Sequence, residues 1–157
     1  DNELKIYFEK NVNKAKSRNV YLTANEISKI RTSSGAMIKT ENTLETNTLE
    51  LDSSSGSSIK VTVNANEISS SSSSGANINV YGKAKLFSAS ASSGSSIDAD
   101  KLETINTTAK VSSGANIDVN VSGKLVAKAS SGGSIDYEGN PTEVNKDTSS
   151  GGSVSGS

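Results

Sequence analysis

One hexapeptide returns seven times along this 157-residue chain, and that repetition constrains the fold more than any other feature. The copies are SSGAMI (33–38), SSGSSI (54–59), SSGANI (73–78), SSGSSI (92–97), SSGANI (112–117), SSGGSI (130–135) and SSGGSV (149–154). Their glycines, Gly35, Gly56, Gly75, Gly94, Gly114, Gly132 and Gly151, are separated by 21, 19, 19, 20, 18 and 19 residues. A period near 19 marks a solenoid, in which each coil buries its apolar side only against its neighbours. The competing reading is a flexible Ser/Gly linker, which 32 serines, 13 glycines and only 32 % hydrophobic residues would suit. A linker, however, has no reason to place Ile three residues after Gly in copy after copy.

Register argues for strands. The second Ser of each copy, the residue after Gly, the Ile and the residue two beyond share one parity, and alternate side chains of a strand share a face. This predicts inward sets such as Ser74, Ala76, Ile78, Val80 and Ser113, Ala115, Ile117, Val119. The serines at 55, 74, 93, 113 and 131 are thus expected to line a corner inside the stack. Ile38, Ile59, Ile78, Ile97, Ile117 and Ile135, ending in Val154, form the expected core spine. Gly35, Gly56, Gly75, Gly94, Gly114 and Gly132 are expected turns, because a residue without Cβ bends the chain tightly into the next sheet. A second apolar patch, Leu49 and Leu51, Ile68, Leu86 and Phe87, Ile105, Leu125 and Val144, closes each coil, giving two or three strands per coil. Coils with Ala after Gly alternate with Ser-Ser coils, as a duplicated two-coil unit or an Ala-on-Ser fit would produce.

The expected architecture is therefore all-β, a parallel β-solenoid of about 19 residues per coil forming one domain over 1–157. Residues 1–32 read as less regular N-terminal coils, with strands at Leu4–Phe8 and Val20–Leu22, and 33–154 as the regular coils. The C-terminal end, with the only Pro at 141, shows only a weak cap against further pairing.

The opposite parity carries Asn77, Asn79, Asp98, Asn116, Asp118 and Asp136, which should face solvent. Asp98, Asp118 and Asp136 share one offset after Gly and should stack as a column. Three roles compete for it. Carboxyls about 5 Å apart suit a retaining glycosidase; oxygen ligands suit Ca²⁺; and the plainest role is a solvated row relieved by Lys83, Lys101 and Lys124. The calcium-roll nonapeptide is missing, so no metal site and no cofactor are expected. The chain has no His, which removes imidazole catalysis and a Ser/His/Asp triad, so the expectation is a non-enzyme. Outward Asn77, Tyr81, Asp98, Asn116, Asp118 and Asp136 are the candidate binding rows, whereas Tyr137 is placed outward or, two beyond Ile135, inward.

Net charge is −1 from 16 basic and 17 acidic residues interspersed along the chain, so neither nucleic acid nor an anionic membrane is an expected partner. No apolar run approaches the roughly 20 residues of a membrane helix, no basic and apolar leader stands at Asp1, and no Cys is present to report a compartment.

The Gly-Ala-Asn-Ile and Gly-Gly-Ser-Ile turns, with Asp136-Tyr-Glu-Gly-Asn-Pro141 and the final GGSV, resemble the autotransporter adhesin head GIN domain family of bacterial envelope proteins. The resemblance implies a right-handed β-helix of the pectin lyase-like kind, without catalytic residues, in a protein exported to the periplasm, outer membrane or cell surface of a Gram-negative bacterium. It also implies an adhesive role and a sequence that lacks the first part of the family's domain; the solenoid surface itself suits glycans or surface proteins as partners, and an uncapped end or sheet face suits assembly into homo-oligomers. A glycan-binding or glycan-active β-helix and a structural spacer are the alternative readings.

Overall fold

The computed structural model describes residues 3–7 and 18–157, which contain ten strands and no helix. These are β1 (Lys29–Thr32), β2 (Met37–Lys39), β3 (Leu44–Ser53), β4 (Ser58–Ser72), β5 (Asn77–Ala91), β6 (Ser96–Val111), β7 (Asn116–Ala129), β8 (Ser134–Glu138), β9 (Glu143–Thr148) and β10 (Ser153–Gly156). Every pairing is parallel and joins a residue to its counterpart one coil on, as in Ile59 with Ile78, Ile97 with Ile117 and Ile135 with Val154. The chain is a β-solenoid of seven turns.

Each coil begins at a tight turn in which the second Ser and the Gly both have positive φ: Ser74 at 53° and Gly75 at 69°, and likewise at the other six copies. The Ala76 N–H donates to the Ser73 carbonyl at 3.2 Å, closing the turn. Two positive φ values and an i to i+3 bond are the pattern of a type I′ turn. The left-handed conformation strains a Ser, and only Gly adopts it freely. The turns are also bonded to each other: the Gly75 N–H donates to the Ser93 carbonyl of the next coil at 3.1 Å, and Gly56 to Ser74, Gly94 to Ser113 and Gly114 to Ser131 repeat the contact.

This turn corrects the expected serine column. Ser55, Ser74, Ser93, Ser113 and Ser131 are exposed at the tip, because strand alternation does not carry through two left-handed residues. The buried small residues instead flank the turn. After Gly come Ser57, Ala76, Ser95, Ala115 and Gly133, and before the Ser pair come Ser53, Ser72, Ala91, Val111 and Ala129. Where Val111 fills the space, Gly133 faces it, and a Cβ there would lie 2.9 Å from a Val111 methyl. In the first coils the same space holds hydroxyls: Thr32, Ser53 and Ser57 bond one another at 2.9–3.0 Å. Ser95 Oγ donates to the Ser72 carbonyl at 2.8 Å.

The middle coils are not divided into separate strands. Each of β4 to β7 runs unbroken for 14 to 16 residues and bends where two successive side chains point outward. In β5 these are Lys85 and Leu86, between inward Ala84 and Phe87. Leu86 is accordingly an exposed corner residue, and so is Ile105; Phe87 and Thr107 occupy the core positions instead. Thr107 satisfies its hydroxyl on Thr104 at 2.7 Å. Leu49, Leu51, Ile68 and Leu125 are buried as expected, and Val144 packs partly buried on the core.

Ile59, Ile78, Ile97, Ile117 and Ile135 form a continuous column with no exposed surface. Ile38 differs at 37 % exposed, because it sits in the first regular coil and no strand among the described residues covers β2 on the side away from β4. The expected N-terminal coils differ too. Residues 3–7 and 18–28 carry no strand, and Leu4, Ile6, Tyr7, Val20, Tyr21 and Leu22 are exposed; Phe8 lies outside the described residues.

The last described coil carries a charged side chain across it. Lys146 stands in register with Ala127, on a column that is buried from Leu51 to Ala127. Its ammonium donates to the Val154 carbonyl at 3.3 Å and lies 4.8 Å from the Tyr137 ring centroid. The side chain thus lies over the last coil, and stacking another coil there would bury an ammonium, which is costly.

Two outcomes are expected. Ile97→Ala should cost about 2–5 kcal/mol of unfolding free energy in denaturant titration, whereas Ile38→Ala should cost about 1 kcal/mol or less. Lys146→Val, followed by light scattering in high salt, should produce species that grow end to end, while Lys146→Arg should not; a monodisperse Val variant would contradict the capping role.

Candidate functional site

The strand that leaves each turn presents three outward rows on one flat face. The first contains Ser58, Asn77, Ser96, Asn116 and Ser134 in register. The second, four residues after each turn glycine, is Lys39, Lys60, Asn79, Asp98, Asp118 and Asp136. The third holds Thr62 and Tyr81, then Asn120 and Glu138, with Asp100 and Lys101 at a bulge where β6 has an extra residue. The candidate residues Asn77, Tyr81, Asp98, Asn116, Asp118 and Asp136 therefore all lie on this one face. Asn77, Asn116 and Asp136 are exposed, and Tyr81, Asp98 and Asp118 half-buried.

Sequence reasoning missed the lysines that begin the second row. The offset that gives the Asp column and Asn79 gives Lys39 and Lys60 after Gly35 and Gly56. Lys60 lies 5.3 Å from the Tyr81 ring centroid, within cation–π range. Tyr137 turns inward, paired with Val119 and packed on the core.

At the C-terminal half the face dips into a shallow trough of about 310 Å³ lined by Asp98, Asp100, Asp118, Asp136, Tyr137 and Glu138, with Ser155 to Ser157 along its rim. Among the described residues no three of its acids converge as a metal-ligand group. Two of the lysines expected to relieve the column are engaged elsewhere: Lys83 pairs with Glu103 at 3.0 Å and Lys124 with Glu143 at 2.9 Å. Lys101 alone acts on it, drawing Asp98 down.

That pull does not prevail. Partial burial pushes the Asp98 carboxyl above its ordinary value, and hydrogen bonding and charge from Asp100 add to the effect. Burial raises Asp118 as well, with the charges of Asp136, Asp98, Asp100 and Glu138 contributing in that order. Like charges one strand spacing apart, about 4.8 Å, disfavour each other's ionisation and add to the effect of burial. By contrast Glu143, fully exposed, is held low by hydrogen bonds from Lys124 and Asn145.

An acid that ionises less readily in the folded chain than in the unfolded one stabilises the fold below its unfolded pKa, and that contribution is lost as pH rises through the folded value. Ionised Asp118 therefore works against the fold at neutral pH. Asp118→Asn should raise the thermal midpoint at pH 7 by roughly 1–3 °C, and the gain should vanish near pH 3, where the carboxyl is protonated; an equal gain at both pH values would rule out charge as its cause.

Comparison with known proteins gives the chain a family. No curated protein sequence matches it. Two solved structures share its fold. One is a putative adhesin from Bacteroides fragilis, 19 % identical with a TM-score of 0.78 over 83 % of this chain and 60 % of that one. The other is a putative lipid binding protein from Parabacteroides distasonis, 21 % identical with a TM-score of 0.79 over 82 % of this chain and 52 % of that one. The chain thus spans about half to three fifths of the length of these proteins. No helix is long and apolar enough to cross a membrane among the described residues. The model of one family, described as "Putative auto-transporter adhesin, head GIN domain", matches residues 1–141, and the chain belongs to that family.

Proposed function

We propose that this chain is a noncatalytic interaction module of the bacterial cell envelope, which binds through the flat polar face formed by the strands that follow the turns. The carrying observation is the assembly of Asn77, Asn116, Tyr81 and the Asp98, Asp118, Asp136 row on one rigid surface. A solenoid holds such rows at a fixed spacing of about 4.8 Å, so a partner meets a preordered array and little entropy is lost on binding.

The same geometry disfavours sugar cleavage. A glycosidase flanks the scissile bond with its two carboxyls, whereas Asp98, Asp118 and Asp136 all project from the same side of one sheet. The family description and the Bacteroides fragilis protein both speak of adhesins, which supports export and surface display.

The test is binding of the immobilised chain to outer-membrane vesicles of a Bacteroides species and to a glycan array, with sugar release from polysaccharides measured in parallel. Vesicle or glycan retention that falls at least tenfold in an Asn77→Ala, Asn116→Ala, Asp118→Asn variant, without sugar release, is the expected result. Turnover abolished by Asp98→Asn and Asp118→Asn would make the chain an enzyme, and absence of both binding and turnover would leave it a spacer.

A further inference from the structure

Charge on this solenoid is arranged in two ways. On the other faces most charged register partners are opposite in sign and pair: Lys29 with Glu50, Arg31 with Asp52, Lys83 with Glu103, Lys124 with Glu143 and Lys128 with Asp147, at 2.7–3.3 Å, with Lys110 beside Lys128 as the like-charged exception. On the row from Lys39 to Asp136 like stacks on like between coils, although Lys39 also pairs within its own coil with Glu41 at 3.7 Å. Lys39 abuts Lys60, Asp98 abuts Asp118, and Asp118 abuts Asp136, with Asn79 between the two signs. The fold readily places complementary charges side by side, yet here it separates them to opposite ends of one row.

The order of that row is self-complementary when reversed. Laid antiparallel against itself, Lys39 meets Asp136, Lys60 meets Asp118 and Asn79 meets Asp98, and the three pairs recur on the other side of the midpoint. We propose that this face docks a second copy of the chain in antiparallel, about a two-fold axis that runs along the strands midway between Asn79 and Asp98. Such an isologous contact closes on itself and gives a dimer rather than a fibre. The flanking row of Ser58, Asn77, Ser96 and Asn116 is small and polar.

Six coils at about 4.8 Å and a face about 16 Å wide bury roughly 400 Å² per copy, about 800 Å² in all, less than a stable specific interface of roughly 1,200 Å² or more. The contact is therefore weak, salt-sensitive and specific through charge rather than area. The proposal rests on the reading of this face as the binding surface and names its partner. Antiparallel docking also points the two chains in opposite directions, the geometry in which copies held on two facing surfaces meet.

Sedimentation velocity on a concentration series at low ionic strength tests it. The 16.1 kDa chain should approach twice its mass as concentration rises and return to monomer in high salt. Lys60→Asp and Asp118→Lys should each weaken association about tenfold or more, and the double variant carrying both should recover the wild-type behaviour within about threefold, because the pair is then exchanged rather than lost. Circular dichroism establishes that each variant retains the β fold. A wild type monomeric throughout, single variants without effect, or a double variant that fails to recover would each overturn the dimer. If the dimer fails while vesicle or glycan binding persists, only the partner is wrong; if both fail, the binding reading of the face fails with it.

Discussion

Everything in this molecule depends on one hydrogen-bond direction. The backbone bonds run from coil to coil along the solenoid axis, in the strands and also through the turns, where each Gly N–H meets the Ser carbonyl of the next coil. A chain with 4 % aromatic residues cannot build a thick core from large side chains. It holds together because successive coils satisfy each other's backbone and because side chains of similar size lie above one another. Seven left-handed serines are kept in a strained conformation, at a cost of the order of 1 kcal/mol each, since that conformation alone lets the turn peptides join the ladder.

Packing beside the turn follows from the same stacking. With coils about 4.8 Å apart, the space between the two strand segments that meet at the turn admits only small groups, and it is filled by trading volume between neighbours. Val111 takes the room that Gly133 gives up, and Thr32, Ser53 and Ser57 fill it with a closed set of hydroxyl bonds. One hydroxyl breaks the pattern. Ser70, between Leu51 and Ala89 on an apolar column, is buried without a hydrogen-bond partner among the described residues.

The repeat made much of this legible before any coordinates. The period, the Ile column from Ile59 to Ile135 and the outward rows follow from fixed offsets after glycine, because parallel stacking converts an offset in sequence into a row in space. What stayed hidden were events that break alternation. The left-handed Ser-Gly pair sends Ser74 and its equivalents outward, and the paired outward residues at a bend expose Leu86. At Asp100–Lys101 one added residue leaves Thr107 where an apolar residue was expected, with Ile105 outside. The charge order was present in the sequence, four residues after each glycine, but only a view of the whole row shows that its two ends are complementary.

The buried hydroxyls have a consequence for where water enters the stack. Beside the turns they stand at Thr32, Ser53, Ser57, Ser72 and Ser95, whereas Val111, Ala115 and Ala129 leave the later turn flanks dry; Ser70, Thr104 and Thr107 lie elsewhere in the core. Water that enters beside the early turns finds hydroxyls to solvate, whereas beside the turns at Gly114 and Gly132 it meets Val111, Ala115, Ala129 and Gly133. The turn edge of the stack therefore admits water more readily at its first described turns than at its last.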